Sequence, residues 1–289
     1  MNDDEQYSDA PEENDTMAED ESVVISDPKG LALPDDVLPD TLFVLPVSSR
    51  PFFPAKVQPV MVDAAQWEET VERIDELADE MVFLGGCATG LLITDDAAPP
   101  IRVTRDVDAI VQVVSRADYY QLSEKLRAKG FKEDVSNDAP ICRWVAENII
   151  LDVMPTDTQI LGFGNKWYTS AMKNSELVKL PSEKQIRMVS GPYFLITKLE
   201  AFDGRGGGDF LMSHDIEDII AVLDGRPEIV NDVKQAEPML TEELAKRFQM
   251  LMENSRFVDA VSGHMPTDET SQARVTVIKK IIKELANLK

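Results

Sequence analysis

The sequence predicts a mixed α/β (α+β) fold: a small mixed β-sheet flanked by helices, followed by a helical C-terminal region. Three observations predict it. Short apolar runs of strand length recur at Met81–Leu84, Ala109–Val114 and Ile149–Met154, too short for independent helices. Between them, apolar residues recur at helical spacing. Beyond Pro192 the spacing is helical almost to the end.

Taken in order, residues 1–37 form an acidic segment. The first forty residues hold fourteen acids and one lysine, a net −13 out of the chain's −24. Such a stretch can bury almost nothing, and disorder is expected. Residues 38–63 alternate short apolar runs with prolines: Leu42-Phe43-Val44-Leu45, Arg50-Pro51-Phe52-Phe53-Pro54 and Val57-Gln58-Pro59-Val60-Met61-Val62. This segment resembles the opening of the substrate-binding domain of the Lon protease. No Gly-x-x-x-x-Gly-Lys-Ser/Thr phosphate loop occurs in the chain, so a protease function is unsupported.

A domain over residues 64–235 follows. Trp67, Val71, Ile74, Leu77 and Met81 recur along Ala64–Glu80 at the spacing of an amphipathic helix. Gly85-Gly86 then turns strand Met81–Leu84 into a short helix. Ser115 to Asp118 reads as a capping start, with Tyr119, Leu122 and Leu126 as the buried stripe and Gly130 as the stop. Phe131–Glu133 and Ile141–Val145 read as strands, the latter paired with Asn148–Met154 in a hairpin through Ala146-Glu147. The expected order is α-β-α-β-α-β-β-β. A further hairpin lies around Pro181-Ser182, and a helix after Pro192 leads to the glycine-rich loop Gly204–Asp209. Another helix spans Ser213–Leu223, and residues 236–289 are helical, with a polar connection from Gly263 to Gln272.

The chemistry concentrates on carboxylates in apolar strands. Asp106 and Asp108 stand two apart, so a strand projects both from one face. Two like charges that close need a cation, and oxygen-only ligands suit magnesium. Asp152 is a third acid inside an apolar strand, where an unpaired charge is costly.

The Gly-Gly turn, Arg102-x-Thr104-x-Asp106-x-Asp108, the lone Asp152, and Lys198-Leu-Glu-Ala-Phe with Arg205, Asp215 and Asp218 together resemble the nucleotidyltransferase superfamily typified by DNA polymerase beta. Within it, the chain is most similar to the AbiEii/AbiGii-toxin-like group over about residues 67–232. The resemblance implies a Mg2+-dependent transfer of an NMP unit from an NTP to a hydroxyl on an RNA end or a protein. It implies that Asp106, Asp108 and Asp152 hold metal, with Asp152 also accepting, or helping to remove, the acceptor proton. Gly85 and Gly86 would let the backbone approach the triphosphate. Arg102 and Thr104 would contact phosphate or brace the metal strand. Lys198, Arg205 and Asp215 would complete the nucleotide site. The superfamily carries a serine close after the first glycine; here Gly86 and Cys87 stand there, and Thr89 is the nearest hydroxyl. A toxin-like enzyme also implies an antitoxin-like partner.

Composition narrows the alternatives. Net charge −24 argues against broad nucleic-acid binding, which rests on Lys and Arg. No run of eighteen apolar residues occurs and the N-terminus is acidic, so no membrane partner and a cytoplasmic location are expected. Cys87 and Cys142 read as buried, reduced thiols. Two other functions stay open: an NTP- or nucleic-acid-binding module without transfer, and a non-enzymatic partner-binding protein using residues 1–63. Loss of function on deleting residues 1–63 would favour the last.

Overall fold

The computed structural model describes residues 64–288, with side chains from Trp67 onward. The acidic segment and the Lon-like segment lie outside the described residues. Among the described residues the fold is mixed α/β, as the sequence predicts.

Seven strands form one sheet: β1 (Met81–Leu84), β2 (Asp106–Val111), β3 (Lys132–Glu133), β4 (Arg143–Ala146), β5 (Ile149–Pro155), β6 (Glu176–Lys179) and β7 (Gln185–Met188). Their spatial order is β3-β4-β5-β2-β1-β7-β6. β5 runs parallel to β2 and β7 parallel to β1, while the other neighbours are antiparallel. The hairpin around Pro181-Ser182 therefore extends the main sheet, joined through the parallel β1–β7 pairing.

The period-two alternation of the strands sorts their side chains onto two faces. Met81, Phe83, Val107, Ala109, Val111, Leu151 and Val153 share one face with α1 (Ala64–Ile74) and α3 (Arg116–Ala128). Trp67 of α1 meets Phe83 edge-to-face at 5.2 Å, and its indole N–H donates to the Cys87 carbonyl at 3.1 Å. The amphipathic segment ends as an α-helix at Ile74; Asp75–Glu80 tightens into a 3-10 turn, opened by Asp75 at φ +51°. Ser115 caps α3 by accepting from the Asp118 N–H, and Gly130 at φ +88° ends it.

The opposite face carries Val82, Leu84, Ile110 and Met188 into a second core. It is covered by α5 (Tyr168–Lys173), α6 (Gly191–Arg205) and α7 (His214–Gly225). α8 (Ile229–Gln235), α9 (Pro238–Glu253), α10 (Ser255–Ala260) and α11 (Glu269–Ala286) pack into the same cluster through Val233, Leu240, Phe248, Phe257, Ile278 and Ile282. The C-terminal helices thus share a core with the sheet. Two short helices, α2 (Thr89–Leu92) and α4 (Thr158–Leu161), follow the glycine turn and β5.

Several boundaries differ from the pattern. β2 stops at Val111, not Val114, and the expected polar connection from Gly263 is already α11 by Glu269. Arg205 is the last residue of α6 rather than part of the glycine loop. None of the helices among the described residues is long and apolar enough to cross a membrane.

Candidate functional site

The acids emerge on the face of the sheet that the C-terminal helices cover. Asp106 and Asp108 precede Ile110 on β2, and Asp108 sits in register with Asp152 of the parallel neighbour β5. Arg143 of the antiparallel strand β4 is in register with Asp152. Register and alternation therefore place Asp106, Asp108, Asp152 and Arg143 on one face of three adjoining strands.

Arg143 was not singled out from the sequence, and it joins two of the acids. Its Nε donates to Asp152 Oδ1 at 2.8 Å and its Nη2 to Asp152 Oδ2 at 2.7 Å. The same Nη2 donates to Asp106 Oδ2 at 2.8 Å. Asp152 is only 5% exposed, so this fork supplies the counter-charge that burial demands. The hydrogen bonds it donates to Asp152 raise the Arg143 pKa further.

Asp108 is different. It is half-buried and, among the described residues, its carboxylate takes no hydrogen bond or ion pair. Burial, reinforced by the neighbouring Asp106 charge, pushes its pKa up to about 7, although Lys198 and Arg205 pull the other way. The glycine turn is shaped around it. Gly85 has φ +79°, and a Cβ there would lie 1.9 Å from Asp108 Oδ2. At Gly86 a Cβ would come within 2.8 Å of Thr104 Cγ2 and 2.9 Å of Arg102 Nη2.

A second charged group lies between α6 and α7. Lys198 is only 6% exposed, with Nζ 2.7 Å from Asp218 Oδ2 and 3.3 Å from Asp215 Oδ1. Arg205 forks Asp215 at 2.9 and 2.7 Å. Arg102 donates to Asp218 at 3.2 Å and pairs with Glu217 at 3.4 Å. Burial alone would raise the Asp215 pKa; the Arg205 hydrogen bonds and the Lys198 charge override it and leave it lowered. Asp215 and Asp218 also occupy the first turns of α7, where Ser213 accepts from the Ile216 N–H. Thr104 donates to the Asp106 carbonyl at 3.4 Å, a brace on the start of β2.

The predicted residues thus fall into two adjoining groups, with Gly86 between Arg102, Thr104 and Asp218. Thr89 is 1% exposed, and among the described residues its hydroxyl has no hydrogen-bond partner. Cys87 and Cys142 are both free thiols, and burial raises both, Cys142 to about 12.

With Asp152 forked by Arg143, no three His, Cys, Asp or Glu side chains among the described residues form a ready metal cage. Asp106 and Asp108 still fit magnesium, which is commonly held by one or two carboxylates plus water and phosphate oxygens. The unpartnered Asp108 carboxylate is the observation in favour.

No family model matches the chain. It is 34% identical over 58 residues to Lon protease 2 of Hydrogenovibrio crunogenus, a match covering 20% of this chain. The chain spans 7% of that protein's length. Two solved Helicobacter pylori structures are similar in outline. JHP933 is 14% identical with a TM-score of 0.42, over 78% of this chain and 93% of that one. The second, provisionally described as a nucleotidyltransferase, is 10% identical with a TM-score of 0.39, over 78% and 96%.

Proposed function

We propose that the protein is a metal-dependent nucleotidyltransferase that moves an NMP unit from an NTP to a hydroxyl acceptor. The observation that carries this is the convergence of Asp106, Asp108 and Asp152 on one sheet face beside the Gly85 turn, with the Asp108 carboxylate making no ion pair among the described residues. Magnesium, held by Asp106 and Asp108, would supply positive charge to the phosphate oxygens as negative charge develops on them.

The residues divide the remaining work. The acceptor oxygen bonds to the α-phosphorus as the bond to the bridging oxygen breaks, and pyrophosphate leaves. Asp152 takes the acceptor proton; each of its oxygens accepts one bond from Arg143 and keeps a second lone pair. Arg143 orients that carboxylate. Lys198 and Arg205 place positive charge behind the acids, offsetting part of the charge that a triphosphate adds.

An RNA end or a protein hydroxyl is the proposed acceptor class, and the toxin-like resemblance extends the proposal to an antitoxin-like partner. The deep fork on Asp152 favours one second reading, a module that binds an NTP without transferring it. The two separate in one assay: purified protein, magnesium and each labelled NTP, offered with total RNA and with cell lysate. Label should move to RNA or protein with the native chain and not with Asp106→Asn/Asp108→Asn. Magnesium-dependent binding without transfer would support the module, and neither would contradict both.

A further inference from the structure

We propose that Arg143 acts as an internal cation that competes with a divalent ion for Asp106 while holding Asp152 in place. This rests on the reading above, in which Asp106 and Asp108 hold the metal. Arg143 faces Asp152 directly across the β4–β5 hairpin, and alternation puts it on the side of Asp106 and Asp108. Its three hydrogen bonds, at 2.7 to 2.8 Å, reach carboxylates on two different strands.

Those bonds are unequal in burial. The Asp152 side chain is 7% exposed, whereas Asp106 is 37% exposed. A guanidinium stays charged at any working pH, so it leaves a carboxylate only by moving. The bidentate hold on buried Asp152 is the stronger; the single Nη2 contact to half-buried Asp106 is the one that can be exchanged. Loading a divalent ion at Asp106 and Asp108 then replaces that one contact. Arg143 is thus a positioning residue: it neutralises the acids while the metal is absent and holds Asp152 when it is present.

The test uses the full chain and Mn2+, followed by the paramagnetic signal of the free ion. Native protein is compared with Arg143→Lys, Arg143→Gln and Asp106→Asn/Asp108→Asn. A lysine ammonium cannot fork Asp152 and reach Asp106 together, and a glutamine carries no charge. Both substitutions should tighten Mn2+ binding, by roughly tenfold for Gln and several-fold for Lys. A purely structural arginine would give the opposite, because its loss disorders the acids and weakens the metal. Should Arg143→Gln fail to fold, Arg143→Lys decides. Mn2+ bound by the native chain and lost in the aspartate double variant, yet with unchanged or weaker affinity in the Arg143 variants, would overturn this proposal and leave the transferase reading standing. Absence of Mn2+ binding in every form would overturn both.

Discussion

Folding shifts the titration of the Asp108 carboxylate upward. Its pKa rises from 3.8 to about 7 because burial, and then the Asp106 charge, penalise its ionised form. An acid raised on folding binds more protons when native, so its ionisation costs stability as pH climbs from about 4 through 7. Above that window the whole cost is present. Asp108→Asn should therefore stabilise the metal-free protein more at pH 8 than at pH 5, by about 2 kcal/mol. Urea unfolding at the two pH values checks it, and an equal gain at both would contradict it. If Asp108 holds a metal as proposed, the ion must compete with a proton there, so Mn2+ affinity should rise steeply from pH 6 to 7 and level off above 8. Gly85 is tied to this residue. Gly85→Ala adds a methyl 1.9 Å from Asp108 Oδ2 at φ +79°, and should cost about 3 kcal/mol or more by chemical denaturation.

Among the elements, the pairing of α6 with α7 depends on Lys198. Two acids, Asp215 and Asp218, each 3% exposed, flank Lys198, itself 6% exposed. Lys198→Met leaves both with fewer cations in a buried setting and should cost about 3–5 kcal/mol, whereas exposed Arg205, replaced by alanine, should cost about 1 kcal/mol or less. Thermal unfolding at low ionic strength separates the two, and equal losses would show that burial does not set the difference. Much at this scale was legible in the sequence. The strands and their acids stood out because alternation is a local signal, and Ser115, Gly130 and Ser213 marked helix ends by their own chemistry. Arg143 was missed because the turn lies one residue later than the sequence suggests: a hairpin through Ala146-Glu147 would set residue 143 opposite residue 150, whereas the turn at Glu147-Asn148 sets it opposite Asp152. The Asp108–Asp152 register and the β1–β7 pairing are long-range parallel contacts, which no spacing in the sequence encodes. The burial of Lys198 depends on how α6 meets α7, and its neighbours in sequence say nothing of that.

Among the described residues, 64–288, one sheet carries an apolar core on each face and positions both charged groups. Removing residues 1–63 should leave magnesium-dependent nucleotide binding intact; loss of binding with the remainder folded would move the function toward the N-terminal segment. The chain's net charge of −24 predicts weak, salt-sensitive retention of bulk RNA, so any RNA acceptor is recognised locally. The most direct measurement is calorimetric titration of each NTP with magnesium, at pH 8, into the native chain and into Asp106→Asn/Asp108→Asn. The account predicts that at least one NTP binds the native chain only with magnesium present, and that the double substitution abolishes it. Binding that survives the substitution, or no binding by any NTP, would contradict the assignment of these carboxylates.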